Sequence, residues 1–376
     1  MREVRFPENP LSFCPFSHQP GACYFLPDSI YAWVIYPTRL EMWNYLHNPK
    51  CNQIFFFSDW GVASLFGHCQ DLRRRELRVW GKSERGFFLY VLSAIRKDSI
   101  GFFLKRMTFP SWELSSFEGE QAILLHKGAT FTFDEKGIDS FSFSRSTFSQ
   151  KGEELFLGIH KKPQWEKIWE RFSLEELFPL LFSLGSAIPS HFAREGEEEP
   201  ILQSLHSLAR EFSTLDKNRF RQVWIQILRS HFSPTLIPQW EDRSFWQRGK
   251  LSLEERQNSP FLLLIRIREI LRILFLQEEG EDLYVLCTAT RFFSHGRCSH
   301  FKYRTGSLSF DWRSKKIRRV LLFSEEATSL RLFFPPSHRS FRLRRVKEKT
   351  RGERYFCEGK LSLQAGVTYL LDQFHN

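Results

Sequence analysis

A chain of 376 residues with a hydrophobic share of 42% and a charged share of 26% has the composition of a folded soluble protein, not of a disordered one. Its length suits about two or three ordinary domains. The net charge of +11 is uneven: residues 1–155 hold 18 Lys/Arg against 17 Asp/Glu, residues 156–280 hold 17 against 17, and residues 281–376 hold 19 against 9.

Residues 1–22 are rich in Pro, Ser and Cys and read as an irregular lead-in. Glu3, Pro7, Glu8 and Pro10 interrupt any apolar core there, so no signal peptide is expected. From residue 23 the pattern is mostly β. Strands are predicted at 31–36, 53–57, 75–80, 86–94, 100–107, 121–126, 130–133, 140–143 and 154–159, separated by turn residues such as Lys97 and Asp98. Regular strand–turn spacing predicts an antiparallel sandwich or open barrel over residues 1–159. Phe131, Phe133, Phe141 and Phe143 alternate with polar residues, the period of a half-buried strand. No glycine-rich phosphate loop follows any strand, and no cofactor is expected.

At Lys162 the period changes to that of a helix. Pro163 suits a first turn, and Trp165, Ile168, Trp169 and Phe172 follow at helical spacing. Ser173 and Glu176 form a capping-box pattern for a second helix, which Pro179 should bend or shorten. Pro200 opens a third helix after an acidic run at 195–199. Asp216 caps a fourth, and Ser259-Pro260 opens the longest, ending near Gln277. That last helix carries Arg266, Arg268, Glu269 and Arg272, so it is no membrane span. Residues 160–280 are therefore a helical middle region.

Residues 281–376 return to β, with strands predicted at 283–288, 306–311, 316–323, 329–334, 340–345, 353–363 and 367–372. The fold class is α+β: an N-terminal antiparallel β domain, a helical middle and a basic C-terminal β-sandwich. Three stretches of this last part resemble the small β-sandwich that closes the helical-barrel glycoside hydrolases of the α-L-fucosidase type. They are Thr305 to Trp312 with the basic turn Lys315 to Val320, then Ser329 to Phe334, then Lys360 to Tyr369. The resemblance covers roughly residues 300–374 and implies a sandwich fold and a glycan partner. The family's catalysis sits in a full ring of helices. The roughly 120 residues between the β parts hold about five or six helices, and no catalytic residue of the family finds its motif here.

Glycosidic chemistry needs two carboxylates flanking the bond. The helical region offers Glu166, Glu170, Glu175, Glu176, Glu211, Asp216, Glu241 and Asp242, of which Glu166 and Glu170 share a helix face. His295, Cys298 and His300 lie within six residues, a spacing that can ligate zinc; without an evident fourth ligand they read as a loop between strands and no metal is assigned. The seven cysteines form no CxxC pair, and reduced thiols in a cytoplasm are expected. The basic residues carry the clearest local signal. Arg313, Lys315, Lys316, Arg318 and Arg319 lie in one strand–turn–strand, and Arg342, Arg344 and Arg345 in another. With Phe301, Tyr303, Trp312 and Phe341 interleaved, they form a candidate surface for an acidic partner: a glycan, nucleic acid or another anionic surface. Three functions follow: a non-catalytic, glycoside-hydrolase-like binding or scaffolding protein, an active hydrolase, or a binder of nucleic acid or an anionic surface.

Overall fold

The computed structural model describes residues 13–46, 50–58, 61–117, 122–134, 137–139, 152–158, 161–189, 205, 207, 209–212, 214–238, 260–346, 348 and 351–375. The first β part contains β1 (Phe16–Ser17), β2 (Ala22–Phe25), β3 (Tyr31–Ile35), β4 (Arg39–Asn44), β5 (Lys50–Phe57), β6 (Ala63–Asp71), β7 (Glu76–Ser83), β8 (Gly86–Arg96), β9 (Ser99–Met107), β10 (Trp112–Ser116), β11 (Ala122–Leu125), β12 (Thr130–Asp134) and β13 (Gly137–Asp139). They make a seven-stranded sheet in the order β1-β6-β7-β8-β9-β12-β13 and a six-stranded sheet in the order β11-β10-β5-β4-β3-β2.

The two sheets meet through aromatic side chains. Trp33 of β3 lies 5.5 Å from Phe133 of β12, and Phe55 of β5 lies 4.5 Å from the same ring. Phe57 of β5 sits 4.1 Å from Trp112 and 5.6 Å from Tyr90 of β8. Alternation in β12 buries Phe131 and Phe133 and leaves the intervening residues half-buried, as the sequence period implies. The predicted strand at 140–143 lies outside the described residues.

Four helices follow with described bounds: α1 (Trp165–Arg171), α2 (Leu174–Ser186), α3 (Lys217–His231) and α4 (Phe261–Phe275). Asp216 caps α3 as expected, accepting from the N–H groups of Asn218 (2.8 Å) and Arg219 (3.0 Å). The capping box at α2 is not made. The Ser173 hydroxyl donates to Glu175, and the Glu176 carboxylate instead takes two bonds from Arg171, at 2.8 and 2.6 Å. A bidentate guanidinium outcompetes a single backbone N–H for that carboxylate. Pro179 does not shorten α2 either; the helix runs through it to Ser186 with Pro179 itself buried. The predicted third helix is described only in part, with residues 209–211 helical. Gly185 lets α2 and α4 cross closely, since a Cβ there would lie 2.6 Å from the Leu264 carbonyl oxygen. No helix among the described residues is long and apolar enough to cross a membrane.

The second β part holds β14 (Glu154–Phe156), β15 (Leu276–Glu279), β16 (Asp282–Val285), β17 (His295–Tyr303), β18 (Gly306–Arg313), β19 (Lys316–Ser324), β20 (Thr328–Phe333), β21 (Ser340–Arg345), β22 (Glu353–Phe356), β23 (Lys360–Leu363) and β24 (Thr368–His375). A seven-stranded sheet, ordered β14-β17-β18-β19-β24-β21-β22, faces a four-stranded sheet ordered β15-β16-β20-β23. Three details differ from the sequence reading. The strand at 154–156 precedes the helices but pairs with β17. The predicted strand at 353–363 breaks in two at a turn where Glu358 takes φ 70°. The stretch around His295 is a strand, not a loop.

The helices wedge between the two β parts. Phe182 of α2 stacks on Phe301 at 5.2 Å, Phe275 of α4 lies 5.7 Å from Trp312, and Phe261 of α4 lies 4.5 Å from Phe25 on β2. One buried apolar cluster therefore runs through all three regions. The molecule is α+β, with a smaller helical share than the sequence suggests.

Candidate anion-binding pocket

Ends of β14, β17, β18 and β19 line an open pocket of about 490 Å³. The register explains its lining. Phe156 stands beside Arg297, Arg297 beside Asp311, and Asp311 beside Arg319. Opposed residues share a face, so these four form one row across the outer face. Their chain neighbours Leu155, Cys298 and Trp312 are buried on the inner face. Towards the strand ends, His295 stands beside Arg313.

A β-bulge adds one more cation. Asp311 pairs with Arg319 while Trp312 pairs with Ile317, leaving Arg318 as the extra residue. A bulge re-aims the side chains around it, and both Arg318 and Arg319 line the cavity. The bulge is pinned by His338, whose Nε2 accepts from the Ile317 N–H at 3.1 Å. The β18–β19 turn uses Ser314 (φ 53°) and Lys315 (φ 63°) in the left-handed region, where a non-glycine residue costs roughly 1–2 kcal/mol. The Lys315 N–H donates to the Ser294 carbonyl at 2.8 Å and holds the tip against the start of β17. Gly158 completes the wall at φ 83°; a Cβ there would collide with the His295 ring.

The charges are unequal in their company. Arg319 donates to both oxygens of Asp311, at 3.3 and 3.2 Å. Arg297 is half-buried, with its guanidinium 5.2 Å from the centre of the Phe156 ring. Burial pulls it below the usual arginine range, partly opposed by the charge of Glu154. Among the described residues, no carboxylate lies within ion-pair distance of Arg297, Arg313, Lys315 or Arg318. A guanidinium withdrawn from water without an anion is unfavourable. Its planar fork matches phosphate, sulfate or carboxylate.

The other expected residues go elsewhere. Arg342 donates to both oxygens of Asp372 at 2.8 and 3.0 Å, Arg344 lies 3.5 Å from the same carboxylate, and Arg345 pairs with Glu348 at 2.8 Å. Each of these three guanidiniums thus has a carboxylate beside it, with Arg342 and Arg344 sharing one. Phe301, Tyr303, Trp312 and Phe341 are buried, so they form no stacking surface. Glu166 accepts from the Ser17 hydroxyl, Glu170 pairs with Lys167, and Glu211 is exposed. Glu241 and Asp242 lie outside the described residues. Cys298 points into the core while His295 lies at the pocket and His300 at a register shift with φ 57°. Among the described residues, no three His, Cys, Asp or Glu side chains gather closely enough to hold a metal.

Arg297 and Asp311 are the site residues that sequence reasoning passes over. Their signals are short: His295 and Arg297 alternate around Gly296 before the register shift between Cys298 and Phe301 breaks the pattern, and Asp311 stands between the buried Phe310 and Trp312. No protein-family model matches this chain, and no curated protein matches it.

Proposed function

We propose that this is a non-catalytic binding protein that holds its ligand by an oxyanion group, phosphate or sulfate, in the pocket between Arg297, Arg313 and Arg318. The observation that carries this reading is the half-buried Arg297 guanidinium with no carboxylate at ion-pair distance among the described residues. An oxyanion there would offset the cost of its burial. A sulfated or phosphorylated sugar suits both the pocket and the resemblance to glycoside hydrolases. Hydrolysis of a glycosidic bond asks for two carboxylates; the lining contributes Asp311, already engaged by Arg319. A nucleic-acid track asks for a run of available cations, and Arg342, Arg344 and Arg345 each have a carboxylate beside them. Seven free cysteines favour a reducing compartment such as the cytoplasm.

Isothermal titration with inorganic phosphate and with a sulfated hexose tests the proposal. Binding is expected to weaken with salt and to fall at least about tenfold in Arg297→Ala, the loss of charged hydrogen bonds. Binding of either ligand by Arg297→Ala as tightly as by the unaltered chain would overturn it.

A further inference from the structure

The residues leading into β1 lie along β6. The Gln70 N–H donates to the Pro15 carbonyl and the Leu72 N–H to the Phe13 carbonyl, both at 2.9 Å. Phe16 stands opposite Cys69. Cys14, two residues earlier, therefore falls diagonally across from Cys69 on the same face. The Cys69 thiol donates to the Cys14 carbonyl oxygen, 3.7 Å away, which sets its side chain against Cys14. Opposite Cys69 on β7 stands Arg78, which is itself held by Asp71 at 2.7 Å and Glu76 at 3.3 Å. Both thiols are partly exposed, and neither is in a disulfide.

We propose that Cys14 and Cys69 form a peroxide-reactive dithiol, with Cys14 the attacking sulfur and Cys69 the resolving one. The Cys14 thiolate attacks one peroxide oxygen and the O–O bond breaks. Cys14 becomes a sulfenic acid, and the other oxygen leaves as water after taking up the thiol proton. The Cys69 sulfur then attacks the sulfenic sulfur, the S–O bond breaks, and a second water leaves with the Cys69 proton. Two thiols are oxidised to one disulfide and one peroxide is reduced to two waters. The product fastens the segment before β1 to β6.

The surroundings single out Cys14. The S–H donated by Cys69 lowers its thiol, with Arg78 acting in the same direction and burial and Asp71 opposing. Burial raises the other candidates: Cys23 to about 12, Cys287 and Cys357 to about 11, and Cys51 and Cys298 upward as well. Reactivity follows the thiolate fraction and access to it.

The experiment treats the reduced full chain with one equivalent of hydrogen peroxide and maps the products by mass spectrometry. A Cys14–Cys69 linked peptide, lighter by two hydrogens, is expected as the first product. In Cys69→Ser, dimedone is expected to trap a sulfenic acid on Cys14; in Cys14→Ser, Cys69 stays reduced. Alkylation of the unaltered chain at pH 7 is expected to label Cys14 about tenfold faster than Cys51, a readout that needs no substitution. Oxidation of Cys51 or Cys357 ahead of Cys14, or a Cys14 sulfenic acid that persists in the unaltered chain without forming the disulfide, would overturn the proposal.

Discussion

The two β parts are built alike inside and differ outside. Each packs two sheets over aromatic rings, Trp33, Phe57 and Phe133 in the first and Phe310, Trp312 and Phe341 in the second. In the first, buried charge is resolved locally: Asp71 and Glu76 lie across from each other on β6 and β7 and share Arg78. In the second, charge is resolved across the sheet, Arg319 with Asp311 and Arg342 with Asp372, and the resolution stops at the pocket edge, where Arg297 has Phe156 for a neighbour. A sheet can thus pair some of its arginines with carboxylates on neighbouring strands, keep its net positive excess, and gather at one pocket cations that are unpaired among the described residues.

The largest expected effect is in the first part's interior. Phe57→Ala removes a ring that touches both Trp112 and Tyr90 and should cost about 3–5 kcal/mol. Calorimetry would register this as a large fall in Tm. Phosphate binding at a temperature where the chain stays folded should be unchanged, because the pocket lies in the other sheet pair; loss of binding would show that the two parts do not behave separately.

Acid should act on the first part next most strongly. His68 is buried, and its Nε2–H donates to the Gln19 carbonyl at 2.9 Å, so its Nδ1 accepts from the Tyr24 hydroxyl at 2.7 Å. Burial lowers it to about 4. The unfolded chain takes up this proton near the ordinary histidine value of about 6.5 while the folded chain does not. Stability is therefore complete above that value and falls as pH drops towards 4, by about 3 kcal/mol in all. Burial lowers His338 too, with the same sign. Urea midpoints measured at pH 7 and at pH 4.5 test this; a His68→Gln variant that keeps the full slope would remove His68 from the explanation.

The smallest effect separates the two basic hairpins. Arg342→Ala breaks a partly exposed pair with Asp372 and should cost about 1 kcal/mol or less. It should leave phosphate affinity untouched, in contrast to Arg297→Ala. Equal losses of affinity in both variants would mean that the whole cationic face binds the ligand and that the pocket has no special part in it.

Some of this was legible in local pattern. Phe131 and Phe133 alternate in β12 as their spacing implies, and Asp216 caps α3 because its short carboxylate reaches N–H groups two and three residues on. The capping box at Ser173 failed for want of information about Arg171, whose fork takes the Glu176 carboxylate. β17 carries little local signal because its bulge shifts the phase of alternation midway, and the spacing of Phe301 and Trp312 does not tell that rings of α2 and α4 pack on them.

By itself the sequence determined the order of β, α and β regions and the concentration of the net positive charge in residues 281–376, because periodicity and composition are local properties. Only the tertiary structure decided which of those charges remain available. Arg342 and Asp372 are 30 residues apart and become partners through strand pairing. Arg297 meets Phe156 because β14, which precedes the helices, returns to the edge of the last sheet. Pairing register and bulges set those encounters, and they depend on how distant strands align rather than on any one stretch of chain.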